Sequence, residues 1–233
     1  MTILFENEYR ALVIGASGAI GRAFSSALQG DPHCIHVEQV SRANNSGFDL
    51  RDESSIARQA HACAGAGPYH LIVDATGALS IDGVGPEKSL AALTPDLLTK
   101  AFQLNAMGPV IVLRHFAPLL APGPSIYAKL SARVGSITDN HKGGWYGYRA
   151  SKAALNMLLQ TAAIELQRKN AQLRVVALQP GTVRSELSQP FSAGVTKLLE
   201  PAESVSGMLA ALQNLRPRQG AHFIDYQGKE IPW

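Results

Sequence analysis

The chain has 233 residues, 46% hydrophobic and 6% aromatic, enough for one α/β domain whose sheet is covered by Ala- and Leu-rich helices. The formal charge is +3 with no Lys/Arg block or aromatic-interleaved basic stripe, so composition gives nucleic-acid binding no support. No uninterrupted apolar stretch is long enough to span a bilayer, and the start lacks the basic and apolar regions of a signal peptide; a cytoplasmic protein with no membrane partner is expected.

Residues 11–14 form a short apolar run ending at Gly15, which predicts a buried strand feeding a turn. A helix follows over 19–28, stopped near Gly30, Asp31 and Pro32, then a strand over 34–40. Asp52 is placed to cap a helix running to about residue 64. Residues 71–73 read as the next buried strand, ending in Asp74-Ala75-Thr76-Gly77. A stretch through Gly83, Gly85 and Pro86 leads to a long helical region over 95–120, broken or kinked at Gly108-Pro109. A strand over 125–131, a Gly-rich loop, a helix over 146–168 and a strand over 173–178 closed by Pro180-Gly181 come next. A helix over 201–214 and a strand over 221–225 complete the chain.

This alternation predicts a single Rossmann domain over 1–233, a doubly wound, mostly parallel sheet with helices on both faces. Nothing in composition marks a repeat or a linker, and the Gly/Pro-rich 180s and 190s read as a mobile loop over a site. Loops near 78–94, 133–146 and 182–200 are expected to shape a substrate pocket. Cys34 and Cys63 have neither Cys-x-x-Cys nor zinc spacing and read as reduced structural thiols. His33 and His36 flank Cys34 at no known metal spacing, so no metal site is expected.

The stretch from Gly15 to Gly21 follows the first strand and opens the first helix, the setting of a dinucleotide-binding turn. Gly15, Gly18 and Gly21 permit a tight turn and close approach of a pyrophosphate, with Ser17, Ala19 and Ile20 between them. The helix start offers unpaired N–H groups and a partial positive charge. A methyltransferase can use a similar turn, and a turn needing positive φ accounts for glycine equally well. The second strand ends Val40-Ser41-Arg42, without an acid for a ribose 2′-hydroxyl. Arg42 can fork onto a 2′-phosphate, Ser41 adds a hydroxyl, and Arg22 lies just beyond the glycine turn. NADP is therefore expected in preference to NAD, although the same arginines also suit a solvated surface. Glu38 lies too early in the strand to be the ribose ligand.

Tyr148 and Lys152 stand four apart at the start of an Ala/Leu-rich helical run and share one face. An ammonium about 4 Å from a phenol is worth roughly 4 kcal/mol at an effective dielectric of ~20, or up to about 3 pKa units. That would bring Tyr148 toward the range of an acid/base catalyst. Alone, the pair also fits an ordinary solvated helix face.

The glycine turn, Asp49-Leu50, Asp74 to Gly77, Asn105, Tyr148/Lys152 and Pro180-Gly181 occur in the order found in short-chain dehydrogenases/reductases, which the chain resembles over nearly its whole length. Residues 135–140, 143–149 and 223–233 resemble the carbonyl-reductase branch typified by sniffer and C-factor proteins. The resemblance implies hydride transfer between a nicotinamide and a small-molecule carbonyl/alcohol pair. Tyr148 would be the proton donor, Lys152 would lower its pKa and hold the nicotinamide ribose, and Asn105 would support a proton-relay water. Asp49 would contact the adenine with Leu50 beside it. Ala75, Thr76 and Gly77 would line the cofactor, and Pro180, Gly181, Thr182 and Val183 would hold the nicotinamide carboxamide. A homodimer or homotetramer is implied, although some family members are monomers.

Two features depart from the family pattern. The glycines are spaced G-x-x-G-x-x-G rather than the commoner G-x-x-x-G-x-G. Where the family has a catalytic Ser before Gly135, this chain has Ala132. Ser131 is expected to take that role through a one-residue shift at the strand end, with Ser136 as the alternative. Phe191, Trp145 and Tyr146 fit either a pocket lining or anchors to the core. A non-catalytic NADP sensor or signalling protein stays open as a second reading, with Ala132 its best argument. The Tyr/Lys pair argues against a methyltransferase.

Overall fold

Apolar residues alternate along the strands, so each strand feeds two cores. In the computed structural model, which describes residues 4–44, 47–185 and 198–233, Leu12, Ile72, Tyr127, Val175 and Phe223 face one core. Val13, Val73, Ala128, Val176 and Ile224 face the other. A sheet apolar on both faces must be covered on both, which suits a parallel arrangement. The strands are β1 (Tyr9–Ile14), β2 (Cys34–Val40), β3 (Leu71–Asp74), β4 (Ser125–Leu130), β5 (Leu173–Gln179) and β6 (His222–Asp225). They pair in the order β2-β1-β3-β4-β5-β6. Every pairing is parallel, so the expected mostly parallel sheet is parallel throughout among the described residues.

Helices α1 (Ala19–Gln29) and α6 (Pro201–Asn214) cover one face through Phe24, Leu28, Val205 and Met208. On the opposite face lie α2 (Glu53–Cys63), α4 (Gly108–Phe116) and α5 (Tyr146–Gln167), through Ile56, Val112, Leu155 and Leu159. Strand order reverses between β1 and β3, and the crevice beyond their carboxyl ends is where open α/β sheets bind ligands.

Local signals set most boundaries. The Asp52 side chain accepts from the Ser54 N–H and starts α2. Thr94 does the same for Leu97 at the head of α3 (Pro95–Phe102), where Pro95 loses no helical bond. The long helix expected over 95–120 is instead two α-helices joined by a π-helical turn, Gln103–Met107. The interruption precedes Gly108-Pro109. Gly108 itself answers a packing need, since a Cβ there would lie 2.6 Å from the Leu50 carbonyl oxygen.

Cys34 and Cys63 are both free thiols. No helix among the described residues is long and apolar enough to cross a membrane. Most of the loop expected over the 180s and 190s, Phe191 included, lies outside the described residues.

Candidate active site

The glycine turn brings the ends of β1 and β3 together. Gly15 has φ +83°, and a Cβ on it would lie 3.0 Å from the Ala75 carbonyl carbon. A Cβ on Gly21 would lie 2.1 Å from the Gly15 carbonyl oxygen, so α1 packs directly on the turn. Gly18 is the N-cap of α1 and supplies no side-chain acceptor, and the first turn holds no acid. The leading amides of α1 therefore retain the electrostatic character that attracts phosphate. The Arg22 guanidinium folds back onto the Ser17 carbonyl.

At the end of β2, Ser41 is buried and its hydroxyl accepts from the Asn44 N–H at 3.2 Å. Arg42 is exposed beside it. Glu38 stays inside the strand, 3.3 Å from His36, and leaves the strand end without an acid. Arg51 grips the Asp49 carboxylate through Nε at 3.1 Å and through its terminal nitrogen at 2.8 Å. Those bonds hold Asp49 below its usual carboxylate range. Leu50 is half-buried against Gly108.

The turn after β3 is fixed from two directions. Asn105, fully buried in the π turn, accepts from the Ala78 N–H through Oδ1 and donates to the Ala78 carbonyl through Nδ2, both at 2.9 Å. From the other side, the buried Lys129 ammonium donates to Asp74 Oδ1 at 3.0 Å and to the Thr76 carbonyl at 2.6 Å. Gly77, at φ +142°, presses into this junction. A Cβ there would lie 3.2 Å from Asn105 Oδ1 and 3.4 Å from Lys152 Nζ. The turn expected to line a cofactor, Asn105 and Lys152 thus meet at one point.

Tyr148 and Lys152 project from the first turns of α5, with Lys152 Nζ 5.7 Å from the centre of the Tyr148 ring. The Nζ donates to the Leu130 carbonyl at 3.2 Å. The electrostatics differ from the sequence expectation. Burial pushes Tyr148 up to about 12 and Lys152 down to about 7, the latter helped by the Lys129 charge and opposed by Asp74. Desolvation sets the direction for both groups, so in this arrangement Tyr148 holds its proton at neutral pH and Lys152 is poised between its two forms.

The Pro180–Val183 segment is held by the returning chain. Gly181 has φ +79° and would meet Leu199 Cδ1 at 2.7 Å if it carried a Cβ. The Thr182 carbonyl accepts from the Leu199 N–H and the Leu199 carbonyl from the Arg184 N–H, each at 2.8 Å. Val183 bridges Leu199, and the Ser204 hydroxyl donates to the Pro180 carbonyl at 2.6 Å.

A cleft opens beside these groups, lined by Leu79, Ile81, Val84, Gly85, Pro86, Glu87, Leu97, Ala101, Asn105 and Tyr148. The first of the expected pocket loops supplies most of this wall. Among these lining residues Tyr148 carries the only hydroxyl. Trp145 is left-handed at φ +54° and stacks edge-on to Tyr148 at 6.2 Å; Tyr146 begins α5, and neither lines the cleft.

β4 ends at Leu130, and the buried Ser131 hydroxyl donates to Asn156 Oδ1 at 2.6 Å. Ser136 is also buried, accepting from the Asp139 N–H at 3.0 Å.

Sequence reading missed Glu87, whose carboxylate reaches 60 positions along the chain to accept from the Gly147 N–H at 2.9 Å. Its carbonyl accepts from the Trp145 N–H as well. Glu87 sits in a loop, where no periodicity points to burial. Lys129 was also missed, although a lysine inside an otherwise uncharged strand is a readable anomaly.

The short chain dehydrogenase family profile matches residues 9–195. The C-signal protein of Myxococcus xanthus is 36% identical over 137 residues, which cover 58% of this chain and 78% of that protein. Two solved structures share the fold. The NADPH-bound carbonyl reductase from chicken fatty liver superposes with a TM-score of 0.83 at 22% identity, covering 97% of this chain and 95% of that one. The carbonyl reductase Sniffer of D. melanogaster gives 0.81 at 21% identity, covering 97% and 100%.

Proposed function

The chain belongs to the short-chain dehydrogenase family, and we propose that it is an NADP-dependent oxidoreductase that interconverts a small carbonyl compound and its alcohol, with Tyr148 as the proton donor. One observation carries this reading: Tyr148, Lys152, Asn105 and the Gly77 turn converge where the glycine turn opens the crevice between β1 and β3. The NADPH-bound state of the chicken carbonyl reductase supports the same cofactor here.

The residues fit a dinucleotide. A side chain on Gly15 or Gly21 would close the turn, and the start of α1 has no side-chain cap competing for its amides. Those amides would hold the pyrophosphate, Arg42 and Ser41 the 2′-phosphate, and Pro180 to Val183 the carboxamide edge. The nicotinamide supplies the hydride.

The chain's own residues then manage the proton. Tyr148 keeps its phenolic proton at neutral pH and can donate it to the oxygen on which negative charge develops. Lys152, in its charged form, stabilises the phenolate left behind, a fuller effect in the transition state than in the resting site. Asn105 holds the Gly77–Ala78 backbone in register with both. No serine is assigned to the carbonyl oxygen, because the Ser131 hydroxyl is committed to Asn156.

NADPH titration and turnover across a panel of carbonyl compounds test the reading. Tyr148→Phe should lower turnover by roughly 10²–10⁴-fold, the range for losing a general acid, with NADPH affinity unchanged. Equal turnover in wild type and Tyr148→Phe sinks the assignment. A second reading, an NADP-binding sensor, draws on Ala132 and on the commitment of Ser131. Firm NADPH binding without turnover of any panel member is its signature.

A further inference from the structure

The mechanism above leaves two fully buried charges without a role. Asp74 closes β3 and Lys129 lies opposite it in β4, in direct parallel register. Their contacts define their charge state. Lys129 Nζ donates to Asp74 Oδ1 at 3.0 Å, to the Thr76 carbonyl at 2.6 Å and to Thr76 Oγ1 at 3.0 Å. Thr76 Oγ1 donates onward to Asp74 Oδ1 at 2.6 Å, so toward Lys129 it acts as an acceptor. With the Asp74 carbonyl at 3.4 Å, four oxygens surround the Lys129 nitrogen, more than the N–H bonds of a neutral amine can serve; burial lowers the Lys129 pKa and the Asp74 carboxylate opposes that.

A buried pair of this kind is a costly way to join two strands, since apolar residues of similar volume often do as well. Its location supplies a reason. Asp74 and Lys129 together bind Thr76 through its N–H, hydroxyl and carbonyl. The next residue, Gly77, faces Lys152. Burial is the largest influence on the Lys152 proton; the charges that modulate it are Lys129 from β4, which disfavours it, and Asp74 from β3, which favours it. Tyr148 on α5 and Asn105 on the π turn face it as uncharged groups.

We propose that Asp74 and Lys129 are positioning residues of the active site: they hold the Ala75–Gly77 turn against Lys152 and, by their opposed charges, bias how readily Lys152 keeps its proton. The inference rests on the dehydrogenase reading, because Lys152 matters through the nucleotide it would hold. A purely structural pair would not move the protonation of Lys152 in a charge-dependent direction.

The test is NADPH affinity, read by nucleotide fluorescence across pH 5.5 to about 10, with thermal melts confirming folding. Affinity should fall as pH rises through the point where Lys152 loses its proton. Asp74→Asn removes the charge that favours that proton and should move the midpoint down by on the order of one pH unit. Lys129→Met removes the opposing charge and should move it up by a similar amount. The Asp74→Asn/Lys129→Met double variant should return it near the wild-type value. Lys129→Met strands a buried carboxylate and is the variant most prone to misfold. In that case Asp74→Asn and the double variant decide the matter. Shifts in the same direction, no shift, or a double variant as displaced as Asp74→Asn overturn the proposal. Absence of NADPH binding by wild type overturns the dehydrogenase reading instead, so the two failures are distinct.

Discussion

Removing the Glu87 side chain should cost stability at the head of α5. α5 begins at Tyr146 after the left-handed Trp145 and has no side-chain cap of its own. Glu87 supplies the missing acceptor from a distant loop, at 2.9 Å from the Gly147 nitrogen, and is only 7% exposed. Losing an N-terminal cap costs ~1 kcal/mol, and a bond to a charged acceptor out of solvent contributes about 1.5–3 kcal/mol. These overlap, so Glu87→Ala should destabilise the fold by about 2–3 kcal/mol. In a chain of this size that lowers the melting temperature by roughly 5–10 °C. Because Tyr148 follows Gly147, turnover should fall while NADPH affinity holds. Glu87→Gln keeps an oxygen acceptor and should lose less than half as much. Gly147→Ala tests the contact from the other side, since its Cβ would lie 2.8 Å from a Glu87 carboxylate oxygen. Differential scanning fluorimetry with and without NADPH reads all three. A Glu87→Ala melt within about 1 °C of wild type would refute the capping role.

Three further outcomes are expected. Arg42→Asp should weaken NADPH binding relative to NADH by roughly 10–100-fold, as measured by parallel titrations of both nucleotides; tighter NADH binding by wild type would remove Arg42 from phosphate recognition. Ser131→Ala should act on stability, because it leaves Asn156 Oδ1 without its donor at a cost of about 1–3 kcal/mol; a large loss of turnover without a loss in melting temperature would restore Ser131 to the chemistry. Lys152 titrates near 7 when folded and near ~10.4 when unfolded, so between those values the unfolded chain binds more protons. Its contribution to stability therefore grows as pH rises from about 7 to about 10, and Lys152→Met should flatten that part of the melting-temperature profile.

The legible parts of this protein are those encoded by local chemistry. Asp52, the glycines at 15 and 21 and the apolar runs of β1 to β5 act within a turn or a strand. Their roles follow from residue type and spacing. The π turn escaped because its sequence, Gln103–Met107, differs little from that of a helix. Gly108 suggested a break but answers to Leu50, a neighbour visible only once the chain is folded. Glu87, and the pairing of Asp74 with Lys129, depend on which strands and loops become neighbours. The hydrogen-bond partner of Ser131 is a tertiary matter too. Its hydroxyl could have pointed to either side of the strand end, and Asn156, 25 positions away, fixed the choice.

The bridge between Val183 and Leu199 has a consequence for how this protein can diversify. With the carbonyls of Thr182 and Leu199 each bonded across the bridge and Arg184 Nε 2.7 Å from Glu200 Oε1, the two flanks are tied directly to each other. Doubling the length of a closed loop adds only ~0.6 kcal/mol to its closure entropy. A change of chain length between Arg184 and Leu199 should therefore cost little in closure entropy while the bridge keeps its two flanks together.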